Sequence, residues 1–387
     1  MALAIAVLLG LTLPAHRPST APATRTVTHT HIPAGDPASR DEEPFSEIET
    51  SKGIVASVEA LGTLENPTGV QRDGGASALV GDQILWVFGD TLFPVTAVDG
   101  ARYRSNTAAL SSPGNPPELR EQLDAHGSPY QLIPFAPTEE AYNRRSGDPE
   151  ERIAIWPGRI IPDGSAGAFV FFYKLRVHPG RLNLEMLGTG VAYVRAGQTV
   201  AIRYPGLLFR SPEPPFAGGT VVGPYLYAYG CSRTRALTVG CEVARVLKSE
   251  LASRGAYRFW DGARWVRTIK EAKPVLTGEM AGFSISWNAY LHKYIAVYSE
   301  LFTNRVLMKT ADRPEGPWSG QPVFLFSGLT PVGPDAYDYA GREHVELSQD
   351  GGKVILVTYT HPLGALRAEI CLVRVELHRP PRSAAAS

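Results

Sequence analysis

The feature that most constrains the fold of this sequence is a strand–turn–strand unit that occurs five times. The five units span residues 73–91, 155–175, 218–230, 283–300 and 344–360. In each unit the second strand is apolar and aromatic, as in WVFGDT and IAVYSE, and a further strand-like segment follows it. Because repeats of this kind bury their apolar faces only against one another, they predict a closed ring of small sheets. We therefore predict an all-β fold, a five-bladed β-propeller over residues 46–378.

A pair of β-sandwiches is the alternative arrangement for these strands. It explains the alternation of apolar and polar residues, but it does not explain the repeated order of hairpin and following strand. Residues 257–266 add a further hairpin with an Asp-Gly turn, as an outer pair of strands would. No long helix is expected, and residues 118–127 and 244–255 are the helical candidates.

The charge of the chain is balanced. Its 387 residues include 38 Lys and Arg and 38 Asp and Glu, which gives a formal net charge of zero at pH 7. Without a positive field, the chain has no general attraction to nucleic acid or to an anionic membrane surface. We expect no nucleic acid as a partner, and a monomer.

The two ends of the sequence differ from the repeats. Residues 1–23 contain an apolar run, Ala2 to Leu13, that is short for a membrane span and suits the core of a signal peptide. No Lys or Arg precedes this run, so a buried or interfacial N-terminal apolar segment is the alternative. Residues 24–45 are predicted to be a disordered tether and residues 379–387 a disordered tail. We expect a secreted or cell-surface protein with no membrane span in the mature chain.

The three cysteines indicate one disulfide and one buried thiol. Cys231 and Cys241 bracket a hairpin loop, so their side chains can meet across two antiparallel strands. Cys371 lies in an apolar strand and is expected to be an inert core thiol. No CxxC spacing exists, which argues against a structural zinc. We expect no cofactor, with a structural calcium as the open alternative, although no loop has a recognisable ligand spacing.

Two aspartates stand at the outer ends of the first hairpin. A turn centred between Gly81 and Asp82 pairs residues whose numbers add up to 163, and this sum brings Asp73 opposite Asp90. Facing residues in an antiparallel pair lie roughly 4.5 to 5.5 Å apart, so the two carboxylates are expected at one mouth of the channel. Like charges this close favour one bound proton near neutral pH. An acid paired with a carboxylate is what hydrolysis of a glycosidic bond requires, whereas turn capping is the structural alternative.

Further candidates lie at the equivalent ends of other units. Glu300 follows IAVYS as Asp90 follows WVFG. His344 and Glu346 are two residues apart on the predicted innermost strand of the last blade, so they are expected to point to one face of that strand, into the channel. A structural role is the alternative for each, since a buried Glu or His often satisfies hydrogen bonds of the fold.

Three aromatic residues are candidates for a sugar-stacking surface. They are Trp156, Phe283 and Trp287, each at or near the start of a predicted unit. An aromatic face packs well on the apolar face of a sugar ring. Packing in the core is the alternative role for each of them.

Four segments together resemble the bacterial domain-of-unknown-function 4185 family: DGGASALVGDQILWVFGDT, SWNAYLHKYIAVYS, the loop ADRPEGPWSG and HVELSQDGGKVILVTYT. The resemblance spans roughly residues 46–377, and FGDT followed by RPEGPW is its most specific part. It implies a five-bladed propeller related in architecture to arabinanases and fructosidases, with kinship to members classed as endo-D-arabinanases. By this resemblance Asp73 and Asp90 occupy the acidic channel positions of blade one. Trp156 and Gly218 stand where related propellers carry acids in the next two blades.

These observations lead to one hypothesis and one rival. The hypothesis is an exported glycoside hydrolase that acts on a furanose polysaccharide, most simply an arabinan, with Asp73 and Asp90 as the acid and the base or nucleophile. The rival is a non-catalytic carbohydrate-binding or cell-surface propeller that uses the same mouth and the same aromatic residues for recognition.

Overall fold

The structure is a computed structural model, and it describes residues 53–379 with seven short gaps. The gaps comprise residues 68, 115–116, 147–149, 181–182, 235–237, 334–335 and 365–366. The predicted leader and tether, residues 1–45, lie outside the described residues, as does all but the first residue of the predicted tail.

The described residues form 23 strands in five sheets, and each sheet is one blade of a ring. Blade 1 contains β2 (Gln71–Val80), β3 (Gln83–Leu92), β4 (Tyr103–Arg104) and β5 (Thr107–Ser111). Blade 2 contains β6 (Arg152–Asp163), β7 (Gly167–Val177), β8 (Leu184–Arg195), β9 (Ile202–Arg203) and β10 (Phe209–Arg210). Blade 3 contains β11 (Gly219–Val222), β12 (Tyr225–Arg233), β13 (Val239–Leu247), β14 (Arg258–Trp260), β15 (Trp265–Val266) and β16 (Pro274–Gly278).

The last two blades complete the ring. Blade 4 contains β17 (Met280–Asn288), β18 (Lys293–Glu300), β19 (Arg305–Ala311) and β20 (Val323–Ser327). Blade 5 contains β21 (Tyr339–Glu343), β22 (Val354–Gly364), β23 (Arg367–Leu377) and β1 (Val55–Thr63). The predicted five-bladed β-propeller is therefore confirmed.

Blade 5 is built from both ends of the described chain. Its outermost strand, β1, pairs antiparallel with β23, the last strand, from Val55 opposite Leu377 to Thr63 opposite Cys371. Pairing of the first strand with the last closes the ring by backbone hydrogen bonds, so the propeller does not depend on side-chain contacts alone at this joint.

The innermost strand of each blade lines the channel. These strands are β2, β6, β11, β17 and β21, and β2 contacts β6 while β17 contacts both β11 and β21. In blade 5 the prediction was wrong by several residues. The innermost strand ends at Glu343, and Val345–Leu347 forms a short 3-10 helix where a strand beginning at His344 was predicted.

The apolar core lies between neighbouring blades. Sheets covered on both faces require strands that are apolar on both faces, which explains continuous runs such as ILWVF in β3 and ILVTY in β22. Between blades 5 and 1, for example, Trp86 and Phe88 pack with Leu356 and Leu372. Each such large side chain contributes about 1.5–3 kcal/mol through burial, and this contribution recurs at every blade interface.

The helical content is small. One α-helix is present in the described part of the chain, α1 (Pro137–Ser146), and it packs on β6. The two helical candidates, which the sequence also allowed to be loops or single turns, form no α-helix: residues 118–127 are not helical, and residues 244–255 consist of the end of β13 and single 3-10 turns at Lys248–Glu250 and Arg254–Ala256. Of the helices described, none is long and apolar enough to cross a membrane.

The predicted disulfide is present. Cys231 of β12 lies directly opposite Cys241 of β13, with their Cα atoms 3.9 Å apart, and the two sulfurs are bonded. Cys371 is a free thiol buried in β23.

Candidate functional site

A cavity of about 110 Å³ lies in the channel, and side chains from the innermost strands line it. We call it the channel cavity. Its polar lining residues include Asp73 from β2, Arg159 from β6 and Arg342 from β21. Its aromatic lining residues include Trp156 from β6 and Phe283 from β17. The two predicted candidates Asp73 and Trp156 therefore come together at one place in the ring.

A bulge in the first hairpin places Asp73 in this cavity. The β2–β3 register runs from Val80 opposite Gln83 up to Ala76 opposite Val87, and it then shifts twice before Arg72. Gly74 and Gly75 occupy the shifts with φ values of +84° and +92°, which side chains rarely adopt. The bulge turns the Asp73 side chain towards the channel. In a regular strand, the direction of this side chain would follow from alternation along the strand.

Asp73 is half-buried in the lining of the channel cavity, and its carboxylate accepts two hydrogen bonds. Its Oδ2 accepts a hydrogen bond of 2.8 Å from the Tyr339 hydroxyl, and its carboxylate accepts a further one from the backbone N–H of Asp90. Burial raises the pKa of Asp73 to about 7, and the negative charge of Asp90 adds to the rise, although both hydrogen bonds act in the opposite direction. A carboxyl group with this pKa exchanges its proton near neutral pH.

Asp90 is held from three sides. Its Oδ2 accepts a 3.0 Å hydrogen bond from Arg152, which also makes this contact an ion pair. Its Oδ1 accepts a 2.8 Å bond from Nε1 of Trp156 and another from the Tyr103 hydroxyl. These three donors, one of them an arginine, hold the buried carboxylate in one orientation.

The two aspartates thus have different environments. Asp73 lines the channel cavity, and it is the one carboxylate among the described residues that do so. Asp90 is 6% exposed and lies behind Gly89 and Trp156, which themselves line the cavity. A fixed negative charge beside a carboxyl group that can gain or lose a proton is the arrangement that separates acid from base in paired carboxylates.

A second, more open cleft of about 650 Å³ lies on the far side of the partners of Asp90. Tyr103 and Arg152 line this cleft, together with Phe135 and Asn143. The hydroxyl and guanidinium that hold Asp90 therefore also form a wall between that carboxylate and the outer surface.

Of the other two aromatic candidates, one lines the channel cavity and one does not. Phe283 lines the channel cavity beside Trp156. Trp287 does not. It is 44% exposed near the β17–β18 turn, where it packs against Tyr294 with ring centroids 5.0 Å apart. The structure thus brings two of the three predicted aromatic residues to the cavity.

Glu300 lies at the end of β18, as predicted, but its carboxylate does not line the cavity. It pairs with Arg305 at 3.1 Å and accepts a hydrogen bond from Thr303 in the following turn. These contacts are those of a residue that fixes the β18–β19 connection.

His344 and Glu346 do not project from a strand, because the chain has already left β21 at these positions. Both contact the hydroxyl of Ser77 on β2, and Nε2 of His344 lies 2.7 Å from the Thr358 hydroxyl. Burial lowers the pKa of His344 well below its usual value, so the ring is neutral. These contacts join blade 5 to blade 1.

Sequence reasoning missed several residues of the site. Tyr339 and Arg342 lie on β21, which was predicted to begin only at His344. Arg159 stands in the predicted blade 2 strand, in WPGRI, but the register shifts between Pro157 and Ile160, so alternation along the strand did not indicate its direction. Arg152 precedes the predicted strand, so nothing in the local pattern indicated its contact with Asp90, 62 residues away.

Among the described residues, no three His, Cys, Asp or Glu side chains come together as ligands for a metal ion. A structural calcium stays a prediction.

Part of the chain matches a known protein family. Residues 215–355 match the model of a domain of unknown function, DUF4185. The family resemblance is therefore confirmed over these residues, and the FGDT hairpin with Asp73 and Asp90 lies outside the match. The match to DUF4185 covers blade 3, blade 4 and the beginning of blade 5, so it includes Phe283 and Arg342 but ends before the last strand.

Solved structures similar to the chain include several propellers. A thermostable family-43 glycoside hydrolase is 13% identical with a TM-score of 0.47, over 83% of this chain and 97% of that one. A GH43_1 enzyme from Xanthomonas citri is 14% identical with a TM-score of 0.46, over 84% and 96%. An α-L-arabinofuranosidase from Clostridium thermocellum is 14% identical with a TM-score of 0.43, over 80% and 93%. Identities this low carry no information on the chemistry of the channel cavity, and no curated protein sequence matches the chain.

Proposed function

We propose that this protein is a glycoside hydrolase that cleaves a furanose polysaccharide, with arabinan as the substrate. The observation that carries the proposal is Asp73, a carboxyl group in the channel cavity whose pKa is about 7, beside the ion-paired Asp90. Hydrolysis of a glycosidic bond needs one carboxyl group that can donate a proton and one that is ionised. The two aspartates supply both forms at neutral pH.

In this proposal Asp73 protonates the oxygen of the leaving sugar. Below its pKa of about 7 the carboxyl group carries the proton that it donates. Asp90 is the second carboxylate, ion-paired with Arg152 and hydrogen-bonded by Trp156. A sugar ring stacked against Trp156 and Phe283 would lie beside Asp73, with Asp90 behind Trp156.

The substrate class comes from the family resemblance and from the cavity together. The resemblance to DUF4185 points to arabinan, and the channel cavity joins aromatic faces to polar side chains, as sites for sugars do. Neither Asp73 nor its partners distinguishes one furanose from another. The substrate is therefore tested with arabinan, arabinogalactan and fructan in parallel, with products separated by size.

The decisive experiment measures reducing sugars released from D-arabinan by the full chain. Asp73→Asn is expected to lower the rate by a factor of about 100 or more, because the amide cannot donate the proton. Glu242→Gln is the matched control. Glu242 is also a carboxyl group whose pKa burial raises to about 7, but it lies in β13 and away from the channel cavity. Full activity of Asp73→Asn would remove the proposed mechanism.

A carbohydrate-binding propeller without turnover is the second candidate. The specific observation in its favour is that Asp73 is the one carboxylate among the described lining residues, while Asp90 is almost fully buried. In that case the protein binds arabinan with measurable affinity and releases no product, and Asp73→Asn changes the affinity without changing any rate.

We also propose that the chain is exported. The support is the apolar run in residues 1–23 and the disulfide between Cys231 and Cys241, since disulfides persist in oxidising compartments. Expression of the full chain in a bacterial host, followed by mass spectrometry of the culture medium and the cells, tests this. Export predicts a shortened, disulfide-bonded chain outside the cytoplasm, and an intact reduced chain in the cytoplasm would exclude it.

A further inference from the structure

Two arginine side chains meet in the channel cavity without an acidic partner at contact distance. Arg159 from β6 and Arg342 from β21 both line the cavity, opposite the carboxylate of Asp73. Burial lowers the pKa of each guanidinium, and the positive charge of Arg159 lowers the pKa of Arg342 further, to about 10. Two cations therefore share one small cavity and repel each other, which is unfavourable unless something compensates their charge.

The hydrogen bonds that these arginines make are to backbone carbonyls. Nε of Arg159 donates to the carbonyl of Gly219 at 3.2 Å, and Nε of Arg342 donates to the carbonyl of Ala340 at 3.2 Å. One terminal nitrogen of Arg159 also lies 3.5 Å from the carbonyl of Ile285. Within the described part of the chain, neither guanidinium forms an ion pair, and the terminal nitrogens of Arg342 have no hydrogen-bond partner. The hydrogen bonds from the Nε atoms to backbone carbonyls orient both guanidinium groups. They leave terminal N–H donors of the arginines facing the cavity.

The carboxylates near the two arginines accept hydrogen bonds from other side chains. Glu343 and Glu346 attract Arg159 from a distance, but Glu343 accepts a hydrogen bond from Ser286 and Glu346 accepts one from Ser77. Burial raises the pKa of both glutamates. Asp73 attracts Arg342 and is itself close to protonation at pH 7. Among the described residues, none of these acids forms an ion pair or a hydrogen bond with Arg159 or Arg342.

We propose that the channel cavity binds a sugar residue that carries an anionic substituent, a carboxylate or a phosphate, with Arg342 and Arg159 as its partners. The inference rests on the proposed function for the statement that the ligand is a sugar. The planar donor fork of arginine matches the oxygens of a carboxylate or a phosphate in pairs, and it binds them better than it binds neutral hydroxyls. Trp156 and Phe283 provide the faces for the ring. The substrate is then an acidic or phosphorylated furanose polymer, or a neutral polymer with such a substituent at the sugar that enters the cavity.

The test is equilibrium binding by isothermal titration calorimetry, with two matched pairs of ligands and the full-length wild-type protein. One pair is D-glucose and D-glucuronate, which differ only at carbon 6. The other is 1,4-anhydro-D-arabinitol and D-arabinose 5-phosphate, which compare a neutral and a charged five-membered ring. None of the four contains a glycosidic bond between sugars, so no turnover takes part. We expect the charged member of at least one pair to bind about tenfold tighter or better than its neutral partner.

Two variants connect this preference to the arginines. Arg342→Gln is expected to reduce the ratio of the two affinities to about one, mainly through loss of the charged ligand. Arg264→Gln is the matched control, because Arg264 is 80% exposed on the outer hairpin of blade 3 and its loss should leave the ratio unchanged. Circular dichroism and thermal unfolding establish that each variant is folded. The wild-type comparison stands even if Arg342→Gln fails to fold.

The possible outcomes separate this inference from the proposed function. A preference for D-glucuronate supports it and identifies the group as a carboxylate, and a preference for D-arabinose 5-phosphate supports it and identifies a phosphate. Equal affinities within both pairs, no binding of any of the four, or equal loss of both pair members in Arg342→Gln would overturn it. A protein that prefers the charged ligands but releases nothing from D-arabinan loses the proposed hydrolysis and keeps this inference.

Discussion

The carboxylate of Asp73 lies directly over the α-carbon of Gly89. A methyl group at Gly89 would overlap Oδ1 of Asp73, and no flexible end of a side chain is available to give way, because Asp73 is held by Tyr339 and by the backbone of Asp90. The absence of a side chain at Gly89 is therefore what allows Asp73 to stand beside the channel cavity. This relationship leads to the first of five predictions.

Gly89→Ala is expected to displace the Asp73 carboxylate and to lower the rate of arabinan hydrolysis by a factor of about 10 or more, since small misplacements of reacting groups are costly. Stability should fall by about 1–3 kcal/mol, as for other overpacked sites. Gly320→Ala is the control, because a methyl group there meets nothing within 4 Å and the backbone is not left-handed. Initial rates and thermal unfolding measure both effects, and an active Gly89→Ala would contradict the placement of Asp73 in the reaction.

The hydroxyl of Tyr339 is expected to set the upper pH limit of activity. Its hydrogen bond stabilises ionised Asp73 and so lowers the pKa of that carboxyl group. Tyr339→Phe should therefore raise this pKa above 7 and move the alkaline limb of the pH–rate profile upward by roughly one unit. Tyr257→Phe, which removes a buried hydroxyl bonded to the carbonyl of Leu251 in blade 3, should leave the limb in place. An alkaline limb that stays in place while the acidic limb moves upward in Tyr339→Phe would mean that Asp73 acts in its ionised form.

Asp73 is expected to destabilise the fold at neutral and alkaline pH. Its pKa rises from 3.8 to about 7 on folding, so between these values the folded state binds more protons and stability falls as pH increases. Asp73→Asn carries no such penalty and should be more stable than wild type at pH 8, by about 2–4 kcal/mol, with little difference at pH 4. Urea unfolding at both pH values measures this.

Glu242→Gln should show the same gain at pH 8, because burial also raises the pKa of Glu242 to about 7. The two variants differ in activity, since only Asp73→Asn should be inactive. If neither variant gains stability at pH 8, burial does not shift these carboxyl groups as described.

The Arg152–Asp90 pair is expected to be strongly cooperative. Arg152→Gln leaves a buried carboxylate without its cation and should cost about 3–5 kcal/mol of unfolding free energy. The double variant Asp90→Asn/Arg152→Gln replaces the ion pair by a neutral amide pair and should recover most of this loss without recovering activity. Trp156→Phe removes one N–H donor to Asp90 and should cost only about 1–2 kcal/mol. Additive losses in the double variant would mean that the pair is not coupled.

Loss of the disulfide is expected to weaken blade 3 without affecting the site. Cys231 and Cys241 close a loop with a sequence separation of 10, for which chain entropy predicts about 2–3 kcal/mol. The variant Cys231→Ser/Cys241→Ser should unfold at a correspondingly lower urea concentration and keep its rate on arabinan. A reducing agent should destabilise wild type and leave the variant unchanged. An unaltered unfolding midpoint in the variant would show that the strand pairing alone holds this hairpin.

The first hairpin shows what the sequence could predict. The predicted register, in which the numbers of paired residues add up to 163, follows from the position of the tight turn. It is correct for Gln71 opposite Leu92 and for the pairs from Ala76–Val87 to Val80–Gln83. Between these points the bulge at Gly74 and Gly75 shifts the pairing, so Asp73 lies beside Gly89 and the backbone of Asp90, where direct pairing with Asp90 was predicted. The proximity of the two aspartates was predictable from local pairing, and the direction of Asp73 depends on a local irregularity that alternation does not describe.

Blade 5 shows where sequence reasoning ended. The segment HVEL has the apolar and polar alternation of a strand, yet the strand lies at Tyr339–Glu343 and contains Gly341 and Arg342. Small and charged residues face the crowded channel there, so the usual apolar pattern is absent. The partners of Asp73 and Asp90 come from other blades, as Tyr339 and Arg152 do, and only closure of the ring brings them together.

The pairing of β1 with β23 also has a consequence for how the protein is made. Of the described strands, β1 leaves the ribosome first and β23 last, so the final latch of the ring is formed by segments synthesised at opposite times. Until translation ends, β1 has no partner and β2 lacks its neighbour from blade 5, which leaves an unpaired edge and apolar surface open to wrong association. We therefore expect chaperones to hold the nascent chain until β23 is made. We do not expect the blades to mature one after another during synthesis.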